Sequence, residues 1–252
     1  AIESMERAIA LNPRARSIQA QHAATLHILR RFEEAIPYYV RGGDRPDQLA
    51  RARWALTGDA SHLERGDADV SDRLRWEAAM HKGDWDGASD LLRSLPDVFV
   101  SAWAWQPIEL IEGWVYEGAG RHEEAQAAFE AAARRARDRL EVEPEDERAR
   151  GSLALALAGL GDLDGAIRTA ELAVERQPAF ADVVQGPHRL FELAAIHART
   201  GHVEEAVSVL ETLLSTPNMY NAVRIEGEFL MRPLRGEPVF EALIERERGR
   251  VF

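Results

Sequence analysis

The stretch AGLGDLDGAIRTAELAVERQP, residues 158–178, decides the fold. Gly161 can adopt the left-handed backbone conformation that ends a helix, and the acidic residues after it favour the positive end of a second helix. Beyond this turn, alanines recur four and three residues apart from Ala166 to Ala173, which places them on one helical face. Pro178 then ends the second helix. The stretch therefore predicts the turn and second half of a helical hairpin.

The same punctuation occurs at five places along the chain, in the segments RRFEEAI, KGDWDGAS, AGRHEEAQ, LGDLDGAI and TGHVEEAV. Each segment joins a turn to an acidic dipeptide or pair and then to an alanine, at a position where two helices must approach closely. The recurrence of such a segment along the chain predicts stacked helical units. The alanines are Ala35, Ala88, Ala125, Ala166 and Ala206, and the turn residues are Arg30, Gly83, Gly120, Gly161 and Gly201.

The segments around two of these turns resemble the tetratricopeptide repeat (TPR). The matching residues are Gly113, Tyr116, Gly120, Ala125, Phe129 and Ala132 in one, and Leu153, Ala154, Gly161, Ala166, Ala173 and Pro178 in the other. The resemblance implies an all-α solenoid of helical hairpins, with about five repeats plus a C-terminal capping helix. It also implies an inner groove that binds a protein or peptide segment.

We expect the whole chain, residues 1–252, to form this single solenoid. The longest gap between repeats contains an extra helix, with Pro46 in its first turn and Gly58 after its end. In the closing tail, Phe240, Leu243 and Ile244 lie on one helical side and are expected to cap the last repeat. The predicted division is a truncated half repeat at 1–13, helical pairs at 14–45, 70–97, 104–143, 145–178 and 187–217, the extra helix at 46–58 and the cap at 218–252.

The first 13 residues, AIESMERAIALNP, match the second helix of a repeat whose first helix is absent. Ala1, Met5, Ala8 and Pro13 occupy the corresponding positions. The spacing therefore predicts that the chain is a C-terminal piece of a longer protein.

The last third of the chain is similar to the closing segment of certain bacterial signalling proteins. Residues 183–217 and the tail RPLRGEPVFEALIER carry this resemblance, with departures at His197 and Arg232. In those proteins a TPR array follows a Ser/Thr protein kinase, a nucleotide cyclase or a winged-helix regulator domain. The resemblance implies an accessory module, and no catalytic residue is carried over by it.

Composition argues against several other classes of function. The formal net charge of −12 argues against a nucleic-acid surface. No apolar run approaches the roughly 20 residues that span a bilayer, so no membrane insertion is expected. The chain has no Cys, and it contains neither an HExxH motif nor a strand-linked glycine-rich phosphate loop. We therefore expect no enzyme activity, no metal and no cofactor, and a cytoplasmic location, or a periplasmic one if a membrane anchor lies upstream in the parent protein.

Residues beside the apolar stripe of each first helix are candidates for partner binding. Among them Trp114 follows the small Gly113 and would anchor a partner, the alternative being that it fills a gap between helices. With a net charge of −12, the partner segment is expected to be basic or neutral. The alternative function is an assembly or regulatory segment that dimerises or restrains an attached catalytic domain, so that either a monomer or a homodimer is possible. The candidate residues are His27, Arg73, Glu77, Trp114, Glu117, His188 and Arg199.

Overall fold

The computed structural model describes residues 2–43, 45–64, 70–182 and 184–252, so the expected position of Ala1 lies outside the described residues. Within these ranges the chain is built from α-helices, three short 3₁₀ helices and one short β-hairpin, which confirms the all-α fold. The helices are α1 Ile2–Leu11, α2 Arg16–Ile28, α3 Phe32–Gly42, α4 Pro46–Thr57, α5 Asp72–Lys82, α6 Trp85–Leu91, α7 Ile108–Gly118, α8 His122–Val142, α9 Glu147–Gly159, α10 Leu163–Arg176, α11 Gly186–Thr200, α12 Val203–Leu214, α13 Ala222–Gly227 and α14 Pro238–Glu247. None of the helices in the described part is both long and apolar enough to cross a bilayer.

Five helical hairpins form the body of the molecule: α2 with α3, α5 with α6, α7 with α8, α9 with α10, and α11 with α12. The last three hairpins also pack against one another in sequence order. Each hairpin buries its repeat alanine almost completely, with exposed fractions between 0% and 4% for Ala35, Ala88, Ala125, Ala166 and Ala206. The alanine spacing therefore identified the helix–helix contacts correctly.

The turns within the hairpins have the predicted left-handed conformation. Gly83, Gly120, Gly161 and Gly201 have φ values between 74° and 81°. In the two GDxDG segments the aspartate after the turn caps the next helix, because Asp84 and Asp162 each accept a hydrogen bond of 3.0 Å from the backbone N–H three residues on. Turn and cap together explain why the second helix starts at the same place in both repeats.

Small residues allow the neighbouring helices to approach closely around one aromatic ring. A Cβ built on Gly113 of α7 would lie 2.5 Å from the Phe129 ring of α8, and one built on Gly159 of α9 would lie 2.6 Å from the same ring. Phe129 is buried and thus fills the space that the two glycines leave open. A side chain at either position would displace the ring or separate the helices.

The β-hairpin was not predicted. Strand β1 (Val98–Val100) pairs antiparallel with β2 (Trp105–Pro107), so that α7 begins at Ile108 and residues 104–107 are not the start of a helical pair. The segment is rich in Val, Phe and Trp, residues that favour strands, and Trp105 is buried against α8 and α9. The predicted helical pair began at residue 104, so it missed the strand preference of the β-branched and aromatic residues on either side of that position.

The C-terminal residues cover the last hairpin, as expected of a cap. Phe240, Leu243 and Ile244 of α14 are each at most 1% exposed, and α14 packs against α12. Between α13 and α14, a 3₁₀ turn at Phe229–Leu234 packs against α11. The extra helix predicted after the first hairpin is α4, and Gly58 ends it with a φ of 75°.

The C-terminal residues also reach back to the first hairpin. The Phe252 backbone N–H donates to the Leu29 carbonyl at 3.0 Å, and the Arg30 guanidinium donates to the Leu214 carbonyl at 3.0 Å. Arg30 lies over the Phe252 ring at 4.8 Å and has a φ of 60°, unusual for a residue other than glycine. This tertiary contact explains why arginine replaces the repeat's glycine at this turn.

Substitutions of Arg30 separate the energetic cost of its left-handed backbone conformation from the stability gained through its hydrogen bond to Leu214. Arg30→Gly relieves the left-handed strain but loses the hydrogen bond to Leu214, so we expect a net loss of about 1 kcal/mol in the free energy of unfolding. Arg30→Ala keeps the strain and should lose about 1 kcal/mol more. Urea unfolding of both variants measures the difference. A gain in stability for Arg30→Gly would show that the contact with Leu214 contributes little.

Enlarging a repeat alanine should force two helices apart. Ala166 is fully buried, so we expect Ala166→Leu to lower the free energy of unfolding by about 1–3 kcal/mol through overpacking. Ala127 of α8 is exposed, and Ala127→Leu serves as the matched control. Urea denaturation curves that coincide for the two variants would contradict the close contact at Ala166.

Candidate functional site

An inner groove lies between the first helices of the hairpins and the 3₁₀ turn at Phe229–Leu234. Two adjoining cavities occupy it, of about 310 Å³ and about 210 Å³. Trp114, Phe229 and Leu230 line both cavities and form the wall that they share. We call them the larger and the smaller cavity.

The seven residues predicted for partner binding all lie in these two cavities. His27, Arg73, Glu77, Trp114 and His188 line the larger cavity. Glu117 and Arg199 line the smaller one, which Trp114 also borders. The structure therefore brings residues from four first helices, α2, α5, α7 and α11, to one groove.

Trp114 is not exposed, contrary to the expectation for a free anchor. Only 6% of it is accessible, because the ring of Phe229 packs across it with a centroid distance of 5.4 Å. Phe229 also contacts Trp76 at 5.9 Å. The 3₁₀ turn that carries Phe229 is more than 100 residues away in the sequence, so the helical period could not reveal that it covers this face.

Arg73 is held rigidly in the larger cavity. Its Nε donates to Glu77 Oε1 at 3.1 Å and its Nη2 donates to Gln106 Oε1 at 2.8 Å. The guanidinium carbon also lies 4.6 Å from the ring centre of Trp76 and 4.5 Å from that of Phe99. These contacts fix both the position and the plane of the guanidinium.

Glu77 bridges two arginines, because its second oxygen accepts a hydrogen bond from Arg51 of α4. Burial alone would raise the pKa of Glu77, but Arg51, Arg73 and Arg224 outweigh it and lower the pKa to about 2. Glu77 is thus ionised at neutral pH.

His27 has a strongly lowered pKa in the same cavity. Burial is the main cause, and the nearby charges of Arg224 and Arg51 act in the same direction, so the pKa is about 3. Its Nδ1 lies 3.4 Å from the Tyr39 hydroxyl. The ring is therefore neutral at physiological pH.

His188 is a buried member of a polar network. Its Nδ1 is hydrogen-bonded to the Tyr220 hydroxyl, and its Nε2 lies 3.4 Å from Glu192 Oε1. Its pKa is lowered, chiefly by burial. The network joins α11 to the segment before α13 and borders the larger cavity on that side.

Glu117 and Arg199 form an ion pair that links α7 to α11. Arg199 Nη1 donates to Glu117 Oε2 at 2.7 Å, and Arg199 Nε donates to the Ala158 carbonyl at 2.9 Å. About a third of each side chain is exposed, 34% for Glu117 and 32% for Arg199. Both side chains are more exposed than Arg73 and Glu77, which form the other ion pair among the predicted residues.

Sequence reasoning missed several residues of the larger cavity. Phe99, Trp103 and Gln106 come from the unpredicted β-hairpin and its loop, while Arg224 and Glu228 precede the 3₁₀ turn. The aromatic run in residues 98–105 was the available signal, but it carries no repeat period. Among the described residues, no group of three or more His, Asp or Glu side chains is placed to hold a metal ion.

Comparison with known proteins gives one family match. Residues 112–181, just over a quarter of the chain, match a model described as Tetratricopeptide repeat. No curated protein matches the chain. Among solved structures, the chain is similar to the crystal structure of YrrB, a TPR protein with an unusual peptide-binding site, at 16% identity and a TM-score of 0.29, over 85% of this chain and 93% of that one.

Acid should destabilise the fold, because His27 and Glu77 in the larger cavity have lowered pKa values in the folded state. Below pH 6.5 an unfolded chain protonates His27, whereas the folded chain does so only near pH 3, so the unfolded state binds more protons across this window. Stability should therefore fall as the pH drops from 6.5 toward 3, and Glu77 should add to the loss from 4.5 toward 2.

The variant His27→Gln should reduce the slope of unfolding free energy against pH between 6.5 and 4, measured by urea denaturation. His122→Gln, at an exposed position, is the matched control. Equal slopes for His27→Gln and the parent chain would show that His27 titrates normally in the folded state.

Proposed function

We propose that this chain is a non-catalytic scaffold that binds a protein or peptide segment in its inner groove. The observation that carries the proposal is the convergence of aromatic and charged side chains from four first helices on two adjoining cavities. The TPR match of residues 112–181 supports it, because stacked helical hairpins present such surfaces to partners.

The groove offers both contact area and orientation. Trp103 and Phe229 supply aromatic walls to the larger cavity, where one side chain of a partner segment can insert. Glu117 and Arg199 remain partly exposed at the smaller cavity and would orient the rest of the segment. The net charge of −12 favours the approach of a basic or neutral segment outside the cavities.

We further propose that the chain is an accessory part of a larger bacterial signalling protein. The closing segment, residues 183–217 with the tail from Arg232, carries the resemblance that supports this assignment. On this proposal the module works in the cytoplasm, or in the periplasm if the parent protein is anchored in a membrane.

The alternative is an assembly segment that dimerises or restrains an attached catalytic domain. One observation favours it: Ile2, Met5 and Ile9, which form the apolar side of α1, are only half-buried although α1 packs against α2. Light scattering distinguishes the two functions, since a concentration-independent monomer fits the scaffold and a tight dimer fits the assembly role.

The scaffold function is tested by selecting a displayed peptide library on the full chain and measuring the best peptide by calorimetry. Trp103 lines the larger cavity and is partly exposed, so we expect Trp103→Ala to weaken binding by about 2 kcal/mol or more. Phe180, which is 90% exposed and lies outside the groove, provides the control Phe180→Ala.

Circular dichroism and thermal melting establish that both variants fold. Unchanged affinity for a folded Trp103→Ala variant, or an equal loss for Phe180→Ala, would place peptide binding outside the inner groove.

A further inference from the structure

The larger cavity is bordered by buried donors that make no hydrogen bond within the protein. They are Arg73 Nη1, Trp76 Nε1 and Arg224 Nε, the last of which lies 3.8 Å from Glu228 Oε2 as an ion pair. These three nitrogens can only donate. His188 Nε2 is a fourth buried nitrogen without a hydrogen bond, 3.4 Å from Glu192 Oε1. Leaving such groups unpaired is costly, and an acceptor brought beside them would remove that cost.

Two of the three carboxylates at this cavity are already engaged as hydrogen-bond acceptors, and the third, Glu228, is ion-paired with Arg224 at 3.8 Å. Glu77 uses one oxygen for Arg73 and the other for Arg51. Asp47 accepts from the backbone N–H and hydroxyl of Ser71 at 2.9 and 2.5 Å. Among the described residues that line the cavity, no buried side-chain oxygen is left without a donor. Among the buried side-chain atoms at the cavity, donors therefore lack partners while acceptors do not, which favours a ligand that supplies acceptors.

The charges at the cavity point in the same direction. Four arginines line it, against three carboxylates, although the chain as a whole carries a net charge of −12. The lowered pKa of Glu77 has the sign that a positive local field produces, because burial alone would raise it. A ligand with negative charge is therefore favoured at this position.

The remaining walls are aromatic and limit the size of the ligand. Phe99, Trp103, Trp114, Phe191 and Phe229 line the cavity. At about 310 Å³, its volume is at the lower end of the range for small-molecule sites. Because Trp114 and Phe229 separate it from the smaller cavity, it suits a ring with a short side chain better than several residues of extended peptide.

We propose that the larger cavity binds a small aromatic carboxylate. The carboxylate accepts a hydrogen bond from the free Nη1 of Arg73 and a second from Arg224 Nε, which is held only by the longer ion pair with Glu228, and the ring packs among Phe99, Trp103 and Phe229. This proposal goes beyond the scaffold function and does not depend on it. The site also joins the C-terminal segment to α5 and α7, so a ligand bound there stabilises the closed arrangement of the chain.

The test compares two ligands of nearly the same shape, one with a charged carboxylate and one with a neutral amide that has one acceptor oxygen fewer. The full chain is titrated with 3-phenylpropionate and with the neutral 3-phenylpropionamide, followed by calorimetry and by tryptophan fluorescence. We expect the carboxylate to bind at least about tenfold more tightly, since charged hydrogen bonds contribute more than neutral ones. Equal affinity for the two compounds, or no saturable binding of either, would overturn the proposal.

Two variants locate the carboxylate. Arg73→Gln and Arg224→Gln should each reduce the preference for the carboxylate over the amide by about tenfold, and the second is available if the first fails to fold. Arg135→Gln is the matched control, because Arg135 pairs with Glu109 away from the cavity. An undiminished preference in a folded Arg224→Gln variant would overturn the assignment.

A third experiment asks whether the cavity binds a free small molecule or the end of a peptide. N-acetylphenylalanine is compared with a six-residue peptide that ends in phenylalanine, both with a free carboxylate. Binding of the short compound at least as tight as that of the peptide supports a small-molecule site. Binding of the peptide alone would overturn the small-ligand proposal while supporting the scaffold function, so the two proposals fail separately.

Discussion

The close approach of helices at small residues is the constraint on which the rest of the structure depends. Phe129 lies between Gly113 and Gly159, and buried alanines occupy the equivalent contacts in the other hairpins. Close packing at these points brings the first helices of the last three hairpins side by side, so that side chains far apart in sequence face the same groove. A larger residue at a contact would change the spacing of the helices and hence the shape of both cavities.

The C-terminal segment turns this open face into a closed one. Phe229 packs on Trp76 and Trp114, and Arg232 donates to the Met80 carbonyl at 2.6 Å at the end of α5. Arg30 and Phe252 add contacts between the first hairpin and the last residues. The segment is therefore both a cap for the last hairpin and one wall of the candidate site.

The charged groups of the groove are expensive to bury, and their partners explain how they are tolerated. Glu77 is paired with two arginines, and Arg73 is additionally stacked between two aromatic rings. Replacing such a pair with apolar residues is often neutral or stabilising in other proteins. The buried charges of the groove, together with the unpaired donors Arg73 Nη1 and Trp76 Nε1, agree better with the proposed ligand site than with a purely structural role.

The sequence by itself determined the helical hairpins, their turns and their buried alanines, because these depend on spacing within a few residues. It also placed all seven candidate residues on the groove, since helical period defines the side of a helix. Only the tertiary structure decided that Phe229 covers Trp114, that Arg30 contacts Leu214, and that Gln106 and Arg224 line the larger cavity. These features depend on contacts between segments that are distant in the sequence, and no local pattern encodes such contacts.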